Sequence, residues 1–221
     1  MNVSGVGERR VLEVIDARCA LRRRPIFSGV NLTVLTGERI HLGGPNGSGK
    51  TTLLRCAAGA LCLDRGRIRV GGSPAGTAAA RRRVGLCVNP EQGLQLDLTG
   101  RQNLLFAARL RLPADLVRAA VSRVEDEFAI TPFAEQKTQH YSAGMRARVT
   151  IARALLGDPA LLLIDEPTRS LDAAGRELFW AALDRRRSAA CVIASHLTED
   201  VARCDRSFDL TAQHHDEPVS S

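Results

Sequence analysis

Apolar residues recur along this chain with two periods, and the switches between them mark out strands and helices. Residues 11–15 and 30–34 are rich in β-branched side chains with partial alternation, and residues 66–71 alternate cleanly between apolar and charged positions. Each stretch predicts a strand. Residues 38–42 and 84–88 predict two more short strands, the second of them buried. From Gly100 to Phe128 the apolar spacing becomes helical, interrupted near Pro113, and residues 142–156 and 174–187 predict further helices. Residues 160–165 and 189–195 are apolar runs of strand length, and residues 207–210 predict a last short strand. Strands alternating with helices argue for an α/β sheet. The helix-rich block at residues 95–150 reads as an insertion into it. The polar stretch 212–221, which contains Pro218, is expected to be disordered, leaving residues 1–211 as one domain.

Composition narrows the class. The 221 residues are 44% apolar and 25% charged, the balance of a soluble globular protein. No apolar run approaches the length that crosses a bilayer, and residues 1–10 lack the apolar centre of a secretory signal, so a cytoplasmic protein is expected. Cys19, Cys56, Cys62, Cys87, Cys191 and Cys204 are scattered, with no C-x-x-C pair and no histidine at metal spacing. They read as small apolar fillers. The formal charge of +7 comes from arginines, some in runs at 22–24, 81–83 and 185–187. Each run alone reads as solvated surface, although together they are compatible with an anionic leaflet or nucleic acid. Aromatic residues are only 4%, too few for a base-stacking platform, and nucleic acid is not an expected partner.

The chemistry is concentrated in two places. Gly44-Pro45-Asn46-Gly47-Ser48-Gly49-Lys50-Thr51 is a complete G-x-x-x-x-G-K-[ST] loop, placed after the strand predicted at 38–42 and before a helical stretch that starts at Thr52. Glycines let the backbone curl so that several N–H groups face one anion, and the helix behind them adds the positive end of its dipole. Lys50 can then reach the β- and γ-phosphates, and the Thr51 hydroxyl can take a place on Mg²⁺. The chain has two lysines, Lys50 and Lys137, against many arginines, and a compact ammonium suits a phosphate cradle better than a guanidinium. The second place is Leu161-Leu162-Leu163-Ile164-Asp165-Glu166-Pro167, an apolar strand ending in two acids. Beside a phosphate loop, Asp165 would hold Mg²⁺ through water, and Glu166 would orient or deprotonate the attacking water.

Tyr141-Ser142-Ala143-Gly144-Met145 precedes a predicted helix that leads into this acidic strand, and here the chain resembles the ATP-binding subunit of ABC transporters. The Ser142 segment resembles the family's signature, with Met145 in place of the common glutamine. Ser170-Leu171-Asp172 resembles its D-loop, and His196 its switch histidine. The resemblance runs from about Val11 to Leu210 and implies a P-loop NTPase of ABC type. Such a fold has a mostly parallel RecA-like sheet, an N-terminal antiparallel β subdomain and an inserted α-helical subdomain. It implies ATP and Mg²⁺ bound by Gly44 to Thr52 of one copy, closed over by Ser142, Gly144 and Asp172 of a second, identical or related subunit. Thr51, Asp165 and Asn89 would serve the metal, and Glu166, His196 and Lys50 the reaction. A membrane-spanning permease is implied as partner, with the chain at the cytoplasmic face.

Two departures stand out. Leu21 or Arg22 occupies the position of the aromatic that stacks on adenine, and an arginine can stack by its planar face. Asn89 stands where the Q-loop glutamine is expected, with Gln92 as the alternative. Residues 89–104 resemble the ATP-binding subunits of ABC-2-type exporters, and the heme exporter of cytochrome c maturation is a rival within the class. A soluble ABC-type ATPase acting on nucleic acid or ribosomes is the alternative from another class, but such proteins carry two ATPase units or a coiled-coil arm. Intact Lys50, Asp165, Glu166 and His196 argue against a non-hydrolysing subunit.

Overall fold

A computed structural model describes residues 9–211, and the expected disorder of residues 212–221 lies outside the described residues. The β-branched N-terminal stretches pair as a long hairpin of β1 (Arg10–Leu21) and β2 (Arg24–Leu35). β1 also pairs antiparallel with β4 (Arg65–Val70), which carries the two-residue edge strand β5 (Ser73–Pro74), giving the order β2-β1-β4-β5. Both hairpin strands are far longer than their patterns predict. Register shifts on either side of Ala17, next to Asp16 at φ 45°, reset the alternation and hide the strand's continuation. Arg22 and Arg23 form the two-residue turn with φ of 51° and 65°, a left-handed pair that sequence normally gives to Asn-Gly.

The second sheet is parallel throughout, in the order β6 (Val84–Cys87), β7 (Leu161–Asp165), β8 (Ala190–Ala194), β3 (Arg39–Gly43) and β9 (Arg206–Asp209). β7 and β8 are buried at every residue, which is why they read as unbroken apolar runs. Because successive strand residues face opposite sides, this sheet separates two cores. Leu162, Ile164, Cys191 and Ile193 pack with the helices α3 (Gly100–Arg109), α4 (Ala114–Glu127), α5 (Ala143–Leu155) and α6 (Ala173–Asp184). Leu161, Leu163, Val192, Ile40 and Leu42 pack with the antiparallel sheet and α1 (Lys50–Ala57). Gly85 of β6 is forced by the first packing, since a Cβ there would lie 2.1 Å from the Ala154 carbonyl oxygen of α5.

Within the helical block, Thr99 and Gln102 form a reciprocal cap at the start of α3. Arg101 of α3 holds both carboxylate oxygens of buried Glu125 on α4. Of the arginine runs read as solvated surface, residues 81–83 are exposed as expected, at the end of a short helix, α2 (Ala78–Arg83), capped by Thr77; the run at 185–187 needs correction. In the run at 185–187, Arg186 is buried rather than solvated. Its Nε donates to Asp158 at 3.0 Å and its NH1 to the Ala182 carbonyl at 2.9 Å, while NH2 lies 2.9 Å from Glu127 without hydrogen-bond alignment. It ties the end of α6 to the end of α4 and to the turn before β7. Cys62 departs from the filler reading as well: it is exposed, whereas Cys19, Cys56, Cys87 and Cys191 are buried. Among the described residues no helix is long and apolar enough to cross a membrane.

Candidate functional site

Since β6, β7, β8 and β3 run in one direction, the residues that follow each strand open at the same edge of the sheet. There the loop after β3 leads into α1, Asp165 and Glu166 end β7, Ser195 and His196 follow β8, and Asn89 follows β6. All of these but the buried Ser195 border a cleft of about 770 Å³, lined by Asn46, Gly47, Gly49, Lys50, Thr51, Thr52, Asn89, Asp165, Glu166 and His196.

The loop is shaped by Gly44, Gly47 and Gly49 at φ of 130°, 82° and 98°. At Gly49 a Cβ would also meet Ile26 Cγ2 at 2.7 Å, so a side chain is excluded twice over. Lys50 donates to the carbonyls of Gly44 and Pro45 at 2.7 and 3.0 Å. The first-turn amides of α1 have no intrahelical acceptors, and its N-cap residue Gly49 offers no side chain to accept from them. The Ser48 hydroxyl is buried with no hydrogen-bond partner among the described residues. Opposite the loop, the Thr51 hydroxyl donates to Asp165 Oδ2. These groups fit a magnesium nucleotide: uncapped amides, an ammonium and an orphan hydroxyl suit phosphate, and an adjoining hydroxyl and carboxylate suit a hard cation. No cluster of three or more His, Cys, Asp or Glu side chains forms among the described residues, so phosphate oxygens and water would complete the metal's shell. When bound, the nucleotide supplies the phosphoryl group that is transferred.

Glu166 and His196 face one another across this edge. Glu166 takes φ 50°, and its amide donates to the Ala194 carbonyl at 2.8 Å, turning the chain sharply at the end of β7. His196 Nε2 lies 2.9 Å from Asn46 Oδ1 and 3.6 Å from Glu166 Oε1. Acceptors on two sides favour the tautomer that carries the proton on Nε2. A carboxylate beside an imidazole, both next to the phosphate loop, can direct a water and stabilise charge on a phosphoryl group.

Ser142, Gly144 and Asp172 do not line this cleft; they gather elsewhere. Ser142 caps α5, its Oγ accepting from the Met145 amide at 3.1 Å. A Cβ on Gly144 would lie 3.2 Å from the Ser170 carbonyl oxygen. Asp172 caps α6, accepting from the Gly175 amide at 2.8 Å and from Arg148 at 3.0 Å, and these two bonds hold its carboxyl below the usual range. The Ser170 hydroxyl donates to Glu91, joining this cluster to the segment after β6. Asn89, at φ 53°, borders the cleft and Gln92 does not, while Leu21 and Arg22 are exposed in the hairpin turn outside its lining. Sequence reasoning passed over Ile26, Arg169 and Leu197, which also line the cleft. Arg169, next to the acidic strand's loop, has no ion-pair partner among the described residues, and its place in an exposed arginine-rich background gave it no signal.

Known proteins share both sequence and architecture with this chain. The family profile described as ABC transporter matches residues 27–169. Nod factor export ATP-binding protein I of Rhizobium meliloti (strain 1021) is 35% identical over 217 residues, covering 96% of this chain and 65% of that protein. Its counterpart in Burkholderia orbicola (strain AU 1054) is 38% identical over 187 residues, covering 82% of this chain and 61% of that protein. The chain therefore spans a little under two thirds of the length of these curated relatives. A solved ATP binding subunit of an ABC transporter superposes with a TM-score of 0.82 at 25% identity, over 90% of this chain and 85% of that one. Clostridium perfringens cbiO1, part of the ABC transporter complex cbiONQ, superposes at 0.76 and 27% identity, over 92% of this chain and 85% of that one. The fold is also that of a dimeric ATP-binding cassette in a post-hydrolysis state with ADP and Pi, with a TM-score of 0.82 at 21% identity over 95% of this chain and 99% of that one. The matched profile, the relatives and the sheet-edge geometry agree: the chain belongs to the ABC transporter family, in the class of its ATP-binding subunits.

Proposed function

We propose that this chain hydrolyses ATP with Mg²⁺, and that residues 1–211 act as one ATP-binding unit powering export through a separate membrane-spanning subunit. The convergence of Lys50, Thr51, Asp165, Glu166 and His196 on one cleft carries this reading. Lys50 and His196 stabilise charge on the transferring phosphoryl group, Glu166 orients or deprotonates water, and Thr51, Asp165 and Asn89 serve the metal. Ser142, Gly144 and Asp172 lie outside the cleft of their own copy, which suits a head-to-tail pair in which they close over the nucleotide of an identical or related subunit. Closure then depends on ATP, and hydrolysis releases it.

Support for a membrane partner comes from a groove of about 350 Å³ between Gly59, Val84, Leu86, Ala107 and Leu110. Arg111 and Arg153 border it, donating to the carbonyls of Val84 and Gly93 with no carboxylate partner among the described residues. Phe106 and Leu110 stand exposed on the same helix end. A cytoplasmic segment of the permease, seated here and along residues 89–104, would hold the chain at the membrane face. The relatives named for Nod factor export favour export as the direction.

The test is ATP turnover by the purified chain and by Glu166→Gln. The variant is expected to bind MgATP, to pair in its presence by light scattering, and to lose turnover. Normal turnover in that variant removes Glu166 from the mechanism; a wild-type chain that ignores MgATP removes the whole proposal.

A further inference from the structure

Asp200, on the one-turn helix α7 (Thr198–Val201), is 1% exposed and belongs to none of the motifs above. Burying a carboxylate costs several kcal/mol unless hydrogen bonds replace its water. Here the replacement comes from hydroxyls alone. Oδ2 of Asp200 accepts from Thr168 Oγ1 at 2.5 Å and from Ser195 Oγ at 2.6 Å, and no basic side chain pairs with it among the described residues. Ser195 Oγ in turn accepts from the Leu197 amide at 3.1 Å.

The partners give this arrangement its meaning. Thr168 lies two residues after Glu166, in the loop leaving β7, and Ser195 lies one residue before His196, in the loop leaving β8. One buried oxygen therefore clamps the two loops that carry the facing carboxylate and imidazole, 3.6 Å apart. The strand pairing at their base, with the backbone bond from the Glu166 amide to Ala194, ties them as well. A single hydrogen bond leaves a hinge; a second anchor beside it fixes the angle. An apolar residue of similar size would fill the space at lower cost but would leave both loops free to swing.

We infer that Asp200 is the positioning residue that sets the separation and orientation of Glu166 and His196. The inference rests on the catalytic roles proposed for those two residues. Asp200 touches no nucleotide-facing group, so its removal leaves MgATP binding in place and lowers the chemical step. Misplacement of catalytic groups by about 1 Å costs on the order of 100-fold, and a clamp whose loops keep their backbone bond is expected to lose about 10-fold or more in kcat.

Asp200→Asn keeps the shape and weakens the acceptor. Its expected signature is a kcat lowered about 10-fold, with KM for MgATP and the Kd of a fluorescent ATP analogue within about twofold of wild type. Combining it with His196→Ala supplies a readout that a role in stability alone would not move. If Asp200 acts by placing His196 against Glu166, Asp200→Asn costs clearly less in the His196→Ala background than in wild type, only the Glu166 part of its effect remaining; independent effects multiply. Asp200→Glu, which retains the charge, should recover part of the rate. Should Asp200→Asn fail to fold, Thr168→Val and Ser195→Ala each remove one donor and carry the same expectations. Unchanged kcat in a folded variant, or multiplicative losses with His196→Ala, overturns the inference. Absence of hydrolysis by the wild-type chain, or full turnover by Glu166→Gln, overturns the functional reading instead.

Discussion

Replacing Arg186 with methionine tests whether the buried ion pair at the end of α6 holds the helical block to the sheet. Methionine nearly matches the length of the arginine stem, so the cavity contribution is small. Three contacts disappear. The hydrogen bond to the Ala182 carbonyl is worth about 1 kcal/mol. Asp158 is half exposed and keeps Arg123 at 2.7 Å, so its loss adds little. Glu127 decides the size of the effect. It is only 11% exposed, and its remaining partner is the half-exposed Arg185 at 3.4 Å. Leaving a nearly buried carboxylate so poorly matched costs roughly 2 kcal/mol more, for a total of about 3 kcal/mol, at the lower end of what breaking a buried pair costs. For a chain of this size that lowers Tm by about 6–12 °C. Trp180, the chain's one tryptophan, is buried on the same helix, so its fluorescence during urea unfolding reports the change directly. Adding Glu127→Gln should restore about half of the loss, because the uncompensated charge goes with it. A loss under about 1 kcal/mol, or no recovery in the double variant, would refute this account of the pair.

Other outcomes follow from the same structure. Changing Arg22-Arg23 to Asn-Gly relieves two left-handed residues and should raise stability by about 1 kcal/mol per position, read as a higher urea midpoint; a fall would show that the turn is held open by other contacts. In native protein Cys62 should react first with a thiol reagent at neutral pH. The Cys56 and Cys87 thiols are pushed up to about 12 by burial, and Cys191 is raised for the same reason. Peptide mapping that finds Cys87 or Cys191 labelled as fast as Cys62 contradicts the burial. The Asp172 cap has a folded pKa below its ordinary value of 3.8, so its stabilisation is complete above that value and is lost as pH falls through the lower folded one. The stability gap between wild type and Asp172→Asn should therefore narrow as pH falls below 3.8; a gap that stays constant would show that the charge is irrelevant to the cap.

The sheet-edge chemistry was legible because its spacing is local. The phosphate loop and the acidic end of β7 are each read within eight residues, and burial on both faces turns β7 and β8 into runs that no helix period explains. What stayed hidden is non-local or broken in register. The length of β1 was masked by the shifts around Ala17, where side chains change face without a change in composition. Arg186 looks like its neighbours in a charged run, and only the packing of Glu127 and Asp158, 59 and 28 residues away, separates it from them. Asp200 follows His196 in what reads as polar surface, and its partner Thr168 comes from another loop 32 residues earlier. Cys62 lacked a signal of the opposite kind, since nothing in its neighbourhood distinguishes an exposed thiol from a buried one.

The alternation along β7 has a mechanical consequence. A step of one residue carries a side chain from the core shared with the helices to the core shared with the antiparallel sheet. The strand that delivers Asp165 is thus the seam along which the molecule's two halves are joined. A tilt of the helical half against the other bears on this seam, and its outer end is Asp165, hydrogen-bonded to Thr51 of the glycine-rich loop. Force on the helices thus meets, on its way to the cleft, a strand buried at every residue.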